Sequence, residues 1–164
     1  MSEVFVKQIT GYEDQVACTT MDSRAFVWGE CDGAFGMDEK VHTPTEMTEW
    51  GRVAHVKCGN EFAVVLDLEG QLFGYGATGE GQLGLGDTTT RSKLTKIDAF
   101  DNKQIIEFEC GRSSAVVLTT SGLFVMGDSK VGGRNNVPTL IELANVTDVS
   151  LSYKHFLALT KDNH

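Results

Sequence analysis

Two glycine fingerprints overlap between Phe73 and Asp87: Gly74-x-Gly76-x-x-Gly79 and Gly79-x-Gly81-x-x-Gly84. Glycines at this spacing can bring backbone N–H groups against the pyrophosphate of a dinucleotide, provided a helix follows and points its N-terminus at the charge. Here Gly86 is followed by Asp87-Thr88-Thr89-Thr90-Arg91-Ser92-Lys93-Leu94, which is β-branched and polar and carries no apolar helical stripe. No lysine stands where a P-loop would place one. The glycines are therefore expected to shape tight turns, and no cofactor is expected.

The remaining chemistry-bearing residues are scattered. His42, His55, His155 and His164 lie beside no Ser or Cys in a nucleophile arrangement, and H-E-x-x-H and G-x-S-x-G are absent. The chain is expected not to be an enzyme. His155 is expected to hydrogen-bond a turn. Asp32, Asp38 and Glu39 with Gly33 and Gly36 have a calcium-loop flavour, but the EF-hand spacing fails, so a solvated loop and no metal are expected. Cys18, Cys31, Cys58 and Cys110 form no C-x-x-C pair and read as buried free thiols.

Bulk properties narrow the classes further. In 164 residues, 41% are hydrophobic and 23% charged, as in a soluble globular domain. The net charge of −9 disfavours nucleic acid and anionic membrane surfaces, both of which select a basic face. The N-terminus MSEVFVKQIT has no signal-peptide pattern, and no apolar run reaches the roughly 18 residues of a membrane span. A cytoplasmic location, with the nucleus as the alternative, is the expectation.

The elements that would position any site follow from an internal repeat. Cys58-Gly59-Asn60-Glu61-Phe62-Ala63-Val64-Val65-Leu66 aligns with Cys110-Gly111-Arg112-Ser113-Ser114-Ala115-Val116-Val117-Leu118, and weaker copies begin at Gly11 and Ser152. Eleven residues after these four anchors stand Asp22, Gly70, Gly122 and Asn163, types that tolerate positive φ and so mark a hairpin. The first three hairpins lead into apolar runs ending at Trp28-Gly29, Tyr75-Gly76 and Met126-Gly127. Each unit thus reads as strand, Gly turn, strand, hairpin, strand and Gly-rich loop, with no sustained helical period. The units fall near 1–51, 52–104 and 105–145, with a half unit at 146–164, in a single domain over 1–164. Short strands at this repeat length predict propeller blades.

The pattern V-x-x-V-x-C-G-x-x-x-A-V-V-L-x-x-x-G-x-L-F-x-x-G, continued by Gly79-Glu80-Gly81-Gln82-Leu83-Gly84-Leu85-Gly86-Asp87, resembles the repeat of the regulator of chromosome condensation family. The resemblance implies an all-β partial propeller of about three and a half blades, where family rings are closed with seven. Open blade ends would leave apolar surface in water, so the chain is expected to be a piece of a longer protein, an arc completed by self-association as a homodimer or by a partner in a hetero-complex, or an open arc capped by Val4-Phe5-Val6, with assembly ranked first. Family members carry a histidine three residues after the anchor glycine; this chain has Asp14, Phe62, Ser114 and His155.

The expected function is a non-enzymatic scaffold that presents loops to a partner protein. The resemblance implies a small GTPase or a ubiquitin-ligase component as partner, and guanine-nucleotide exchange on a small GTPase as the alternative activity. The candidate contact residues are Trp50 and Arg52 in the first linker, Glu80 in the Gly-rich loop, and Arg91, Arg112 and Arg134 on or beside loops. Trp28 is expected in the core. Gly59, Gly70, Gly81, Gly84, Gly86, Gly111 and Gly122 are assigned to turns.

Overall fold

A computed structural model describes residues 4–29, 41–129, 133–153 and 155–161. The calcium-like residues, Cys31, His164 and Asn163 lie outside these. The described residues fold into four antiparallel sheets in chain order. The first holds β1 (Val6–Tyr12), β2 (Gln15–Thr20), β3 (Ala25–Gly29) and β4 (Val41–Glu46). The second holds β5 (Val53–Cys58), β6 (Phe62–Asp67), β7 (Leu72–Gly76) and β8 (Arg91–Lys96). The third holds β9 (Ile105–Cys110), β10 (Ser114–Thr119), β11 (Gly122–Ser129) and β12 (Gly133–Ile141), and the fourth only β13 (Val146–Leu151) and β14 (Phe156–Thr160). Within each sheet consecutive strands are neighbours, so each is a meander and one blade of an unclosed propeller.

The fourth strand of each complete blade is not marked in the sequence pattern. β4, β8 and β12 are mostly exposed and lack an apolar alternation. Pro44 and Pro138 lie within β4 and β12, a placement tolerated on an edge strand whose outer N–H groups face solvent.

Pairing also corrects the register of the first repeat. Gln15 pairs with Gly29 as Phe62 does with Gly76 and Ser114 with Gly127. The anchor place of the first blade is therefore filled by Tyr12, not Gly11, and Gln15, not Asp14, matches Phe62 and Ser114. The same slip moves the positive φ of the first hairpin from Asp22 to Ser23, at 66°. Gly70 and Gly122 take the expected positive φ, at 79° and 136°.

Three apolar clusters fill the junctions between successive blades. Single 3-10 turns plug the first two from the linker side: Trp50 follows Met47 by three residues and Phe100 follows Ile97 by three, and all four are buried. Trp50 lies 5.5 Å from the Tyr75 ring and Phe100 5.6 Å from Phe124. At the third junction Ala144 stands at the same spacing after Ile141 and offers no ring, and a cavity of about 650 Å³ opens beside it. Trp28, expected in the core, is only half-buried; its neighbour Val27 fills the core instead.

The first junction carries a defect that can be tested. Gln15, Ala17 and Thr19 share one face of β2, and Ala17 belongs to the core cluster. Thr19 is fully buried, yet its Oγ1 and the Oε1 of Gln15 have no hydrogen-bond partner among the described residues. An unsatisfied buried hydroxyl is destabilising. Thr19→Val removes it at nearly constant volume, and is expected to raise stability by about 1 kcal/mol and Tm by about 3 °C in a thermal melt.

Candidate interaction site on the loop face

Where the second blade hands over to the third, four segments converge. They are the β5–β6 turn with Asn60 and Glu61, the Gly-rich loop with Ala77, Gly79, Glu80 and Gln82, the β9–β10 turn with Arg112 and Ser113, and Asp128 on β11. Together they line a cavity of about 370 Å³.

The Gly-rich loop is held from inside and from the next blade. Thr78 O accepts from Gly81 N and Gly81 O from Gly84 N, which closes two successive turns. Gly81, Gly84 and Gly86 have φ of 81°, 64° and 85°. A side chain on Gly81 would come within 2.6 Å of Asn136 Cα, so this glycine also permits close approach to β12. Gly86 N donates to Asn136 O at 2.7 Å, and Asn136 Nδ2 returns a bond to Gly86 O at 2.7 Å. Arg134 pairs with Glu80 at 2.6 Å and reaches Gly79 O. A strand, β8, follows the loop where a dinucleotide site would require a helix.

The anchor glycines have a different duty from the one the sequence suggests. Gly59 and Gly111 sit in turns, but neither has positive φ. A Cβ on Gly59 would strike the Phe62 ring and the Gly111 carbonyl; one on Gly111 would strike the Ser152 carbonyl. Each anchor is glycine because the next blade's anchor passes against it, and Asn60 N donates to Gly111 O across the junction.

The structure brings together three of the sequence-derived contact residues, Glu80, Arg112 and Arg134. Arg112 stacks over the Tyr153 ring at 4.9 Å and donates to its hydroxyl, which ties the third blade to the fourth. Arg91 pairs with Asp87 at 2.7 Å, away from the cavity lining. Trp50 is buried and belongs to the core. Arg52 is exposed and borders a separate recess with Glu49, Asp67 and Glu69. Sequence reasoning missed Asn60, Glu61, Gln82, Ser113 and Asp128. Glu61 and Ser113 stand two residues after aligned anchors, so the repeat register carries a signal for those two.

Among the described residues, no group of His, Cys, Asp and Glu is arranged to hold a metal. Cys18, Cys58 and Cys110 are buried. Burial pushes the Cys110 thiol well up and Cys18 up, so both are weak nucleophiles. It is the backbone carbonyl of His155, not a side chain hydrogen-bonding its turn, that accepts from Ser152 N.

His55 joins the inner strands of the first two blades, with Nδ1 3.1 Å from Gln8 Oε1. Burial, and then the nearby Lys7, depress its pKa below the usual 6.5, against a smaller opposing pull from Glu107. A His kept neutral by folding contributes stability above its unfolded pKa, and that contribution fades as pH falls through about 6.5 toward the folded value. Unfolding by urea should therefore become easier between pH 7.5 and pH 5.5, and His55→Gln should flatten that slope. The depressed carboxyls of Asp22 and Asp87 act only below about pH 4 and do not confuse the window.

Residues 69–118 match the family model of the Regulator of chromosome condensation (RCC1) repeat. That segment carries a repeat of this family. The chain is 29% identical to the human E3 ubiquitin-protein ligase HERC2 over 98% of its own length and 4% of that protein. It is 31% identical to the dog X-linked retinitis pigmentosa GTPase regulator over 84% of its own length and 14% of that protein. Yeast RCC1 (Prp20), solved bound to Kap60, superposes with a TM-score of 0.82 at 18% identity, covering 99% of this chain and 43% of the yeast chain. At that identity the likeness shows the fold alone. The chain thus spans a small part of these two relatives and under half of that solved structure, and the repeats Val53–Lys96 and Ile105–Ile141 give the family pattern its full four-stranded form.

Proposed function

We propose that the chain is a non-enzymatic protein-interaction scaffold whose loop face at the junction of the second and third blades meets the partner. The observation that carries this is the convergence of four loop segments from two rigid blades on one polar cavity. Loops held by a packed sheet present side chains without a large ordering cost on binding. The names of the relatives, a ubiquitin ligase and a GTPase regulator, make a ubiquitin-ligase component or a small GTPase the first partners to try. The exposed Ile9, Leu157 and Leu159 at the two ends of the arc suit coverage by a second copy or another chain. Guanine-nucleotide exchange is disfavoured as the activity, because it needs a loop free to pry at a nucleotide site and residues 77–90 are pinned to the third blade.

Peptide display against the purified chain tests the proposal. Selected peptides should lose about tenfold in affinity on Glu80→Ala or Arg112→Ala, and keep it on Arg91→Ala. Peptides that map only to Arg91 or to the outer edge strands would overturn it.

A further inference from the structure

The third junction repeats the walls of the second without its plug. By strand pairing, Leu118, Leu123, Ile141 and Val146 stand where the preceding junction has Leu66, Leu72, Ile97 and Ile105. Leu72 and Ile97 share a cluster with Phe100, and Leu66 and Ile105 pack against it. At the first junction Ala25, Met47 and Val53 share a cluster with Trp50 in the same way. At the third, the corresponding four residues line the cavity of about 650 Å³, and no aromatic side chain is among its described lining. The linker is the reason. Residues 48–52 and 98–104 are long enough to form a 3-10 turn that carries a ring inward. Residues 142–145 only span the gap, with Leu143 N donating to Ile141 O. Met47 and Ile97 are buried, whereas Ile141 is only half-buried.

The rim of the cavity differs from the other two junctions in a matching way. Leu140 takes the place of Glu46 and Lys96, Leu143 that of Glu49 and Ala99, and Ile106 that of Lys7 and Ala54. All three line the cavity and are exposed. Charged or small side chains suit a junction the chain has closed with its own ring. Three exposed apolar ones suit a junction closed from outside. The fold shows twice what fills this place, an aromatic ring delivered from the linker side. A further strand on β14 would supply the counterpart of Phe124, which at the second junction packs on the ring of Phe100 and does not replace it. We infer that the cavity receives a phenylalanine or tryptophan side chain of a partner polypeptide, in the place that Trp50 and Phe100 hold at the other junctions. The volume accommodates such a residue with its neighbours, and a ring is the side chain that gains most from burial there. The cavity lies at the β10–β11 hairpin end of the blade, away from the loop face, so the inference goes beyond the interaction proposal above.

The test is a methyl NMR titration of the labelled chain with acetyl-Gly-Trp-Gly-amide and acetyl-Gly-Phe-Gly-amide. Acetyl-Gly-Leu-Gly-amide and acetyl-Gly-Gly-Gly-amide are the controls. At least one aromatic peptide should give saturable ring-current shifts at the methyl groups of Leu118, Leu123 and Ile141. The control peptides should bind about tenfold more weakly. The Leu140→Ser/Leu143→Ser double variant should weaken the aromatic peptide by about tenfold, whereas Glu80→Ala on the loop face should leave it unchanged. A thermal melt checks that the double variant is folded, and Leu143→Ser alone serves if it is not. No saturation, an equal response to the leucine peptide, or an unchanged affinity in the folded variant would each overturn the inference. Shifts of the same methyl groups with protein concentration in the absence of peptide would mean that a second copy covers the cavity, and would overturn it too. None of these outcomes bears on the loop face.

Discussion

Gly111→Ala is expected to destabilise the chain by about 3 kcal/mol, lowering Tm by about 9 °C. The added Cβ would fall inside contact of the Ser152 carbonyl and within 3.1 Å of Leu151 Cγ, both in the fourth blade. A backbone carbonyl cannot rotate aside as a side chain can, so relief requires the third and fourth blades to separate. That would loosen the cluster in which Val116, Leu118 and Val149 pack together. The comparison variant is Gly86→Ala. Gly86 has φ of 85°, and a methyl added there would meet nothing within 4 Å, so its cost is the left-handed backbone alone, about 1 kcal/mol. Differential scanning calorimetry of the two separates the two reasons for glycine in this repeat. Equal losses would mean that the anchors do not lock blade to blade.

The repeat and the blade were legible because they depend on local chemistry. Val64-Val65 and Val116-Val117 mark central strands buried on both faces, and Gly70 and Gly122 mark hairpins through a φ that other residues avoid. The outer strands were not legible. Arg91–Lys96 is half exposed and packs on one neighbour, so nothing selects an apolar alternation there. The slip in the first blade was invisible for another reason: Gly11 looks like an anchor, and only the pairing of Gln15 with Gly29 reveals that Tyr12 holds the anchor place. The site was legible residue by residue and not as a place. Glu80 and Arg134 are far apart in the chain, and their 2.6 Å contact exists because the Gly-rich loop of one blade lies on the outer strand of the next. Trp50 shows the converse error. An aromatic in a linker resembles a surface contact until the linker is seen to dip a 3-10 turn into the junction.

The loop of Phe73 to Asp87 yields the last prediction, because it decides what the glycines are for. Leu83 is fully buried and belongs to the cluster of Phe62, Leu72, Phe100 and Phe108 at the second junction. It rests on Gly74, where a side chain would come within 2.9 Å of Leu83 Cδ2, and its N–H donates to Thr78 Oγ1 at 3.3 Å. The glycines on either side thus turn the loop so that one leucine enters the core while Glu80 and Gln82 stay at the cavity. Leu83→Ala removes the anchor and leaves a void, at an expected cost of about 3 kcal/mol. The loss should not be confined to stability. With the leucine gone, only the polar contacts made by Gly86, Asn136 and Arg134 tie the loop to the third blade, and amide exchange at Gly81 and Gly84 should accelerate beyond what global destabilisation explains. Leu83→Met, which conserves volume, should restore most of both. If Leu83→Ala instead left stability and exchange unchanged, the loop would be an appendage to the blade, and the cavity it borders could not be a pre-formed site.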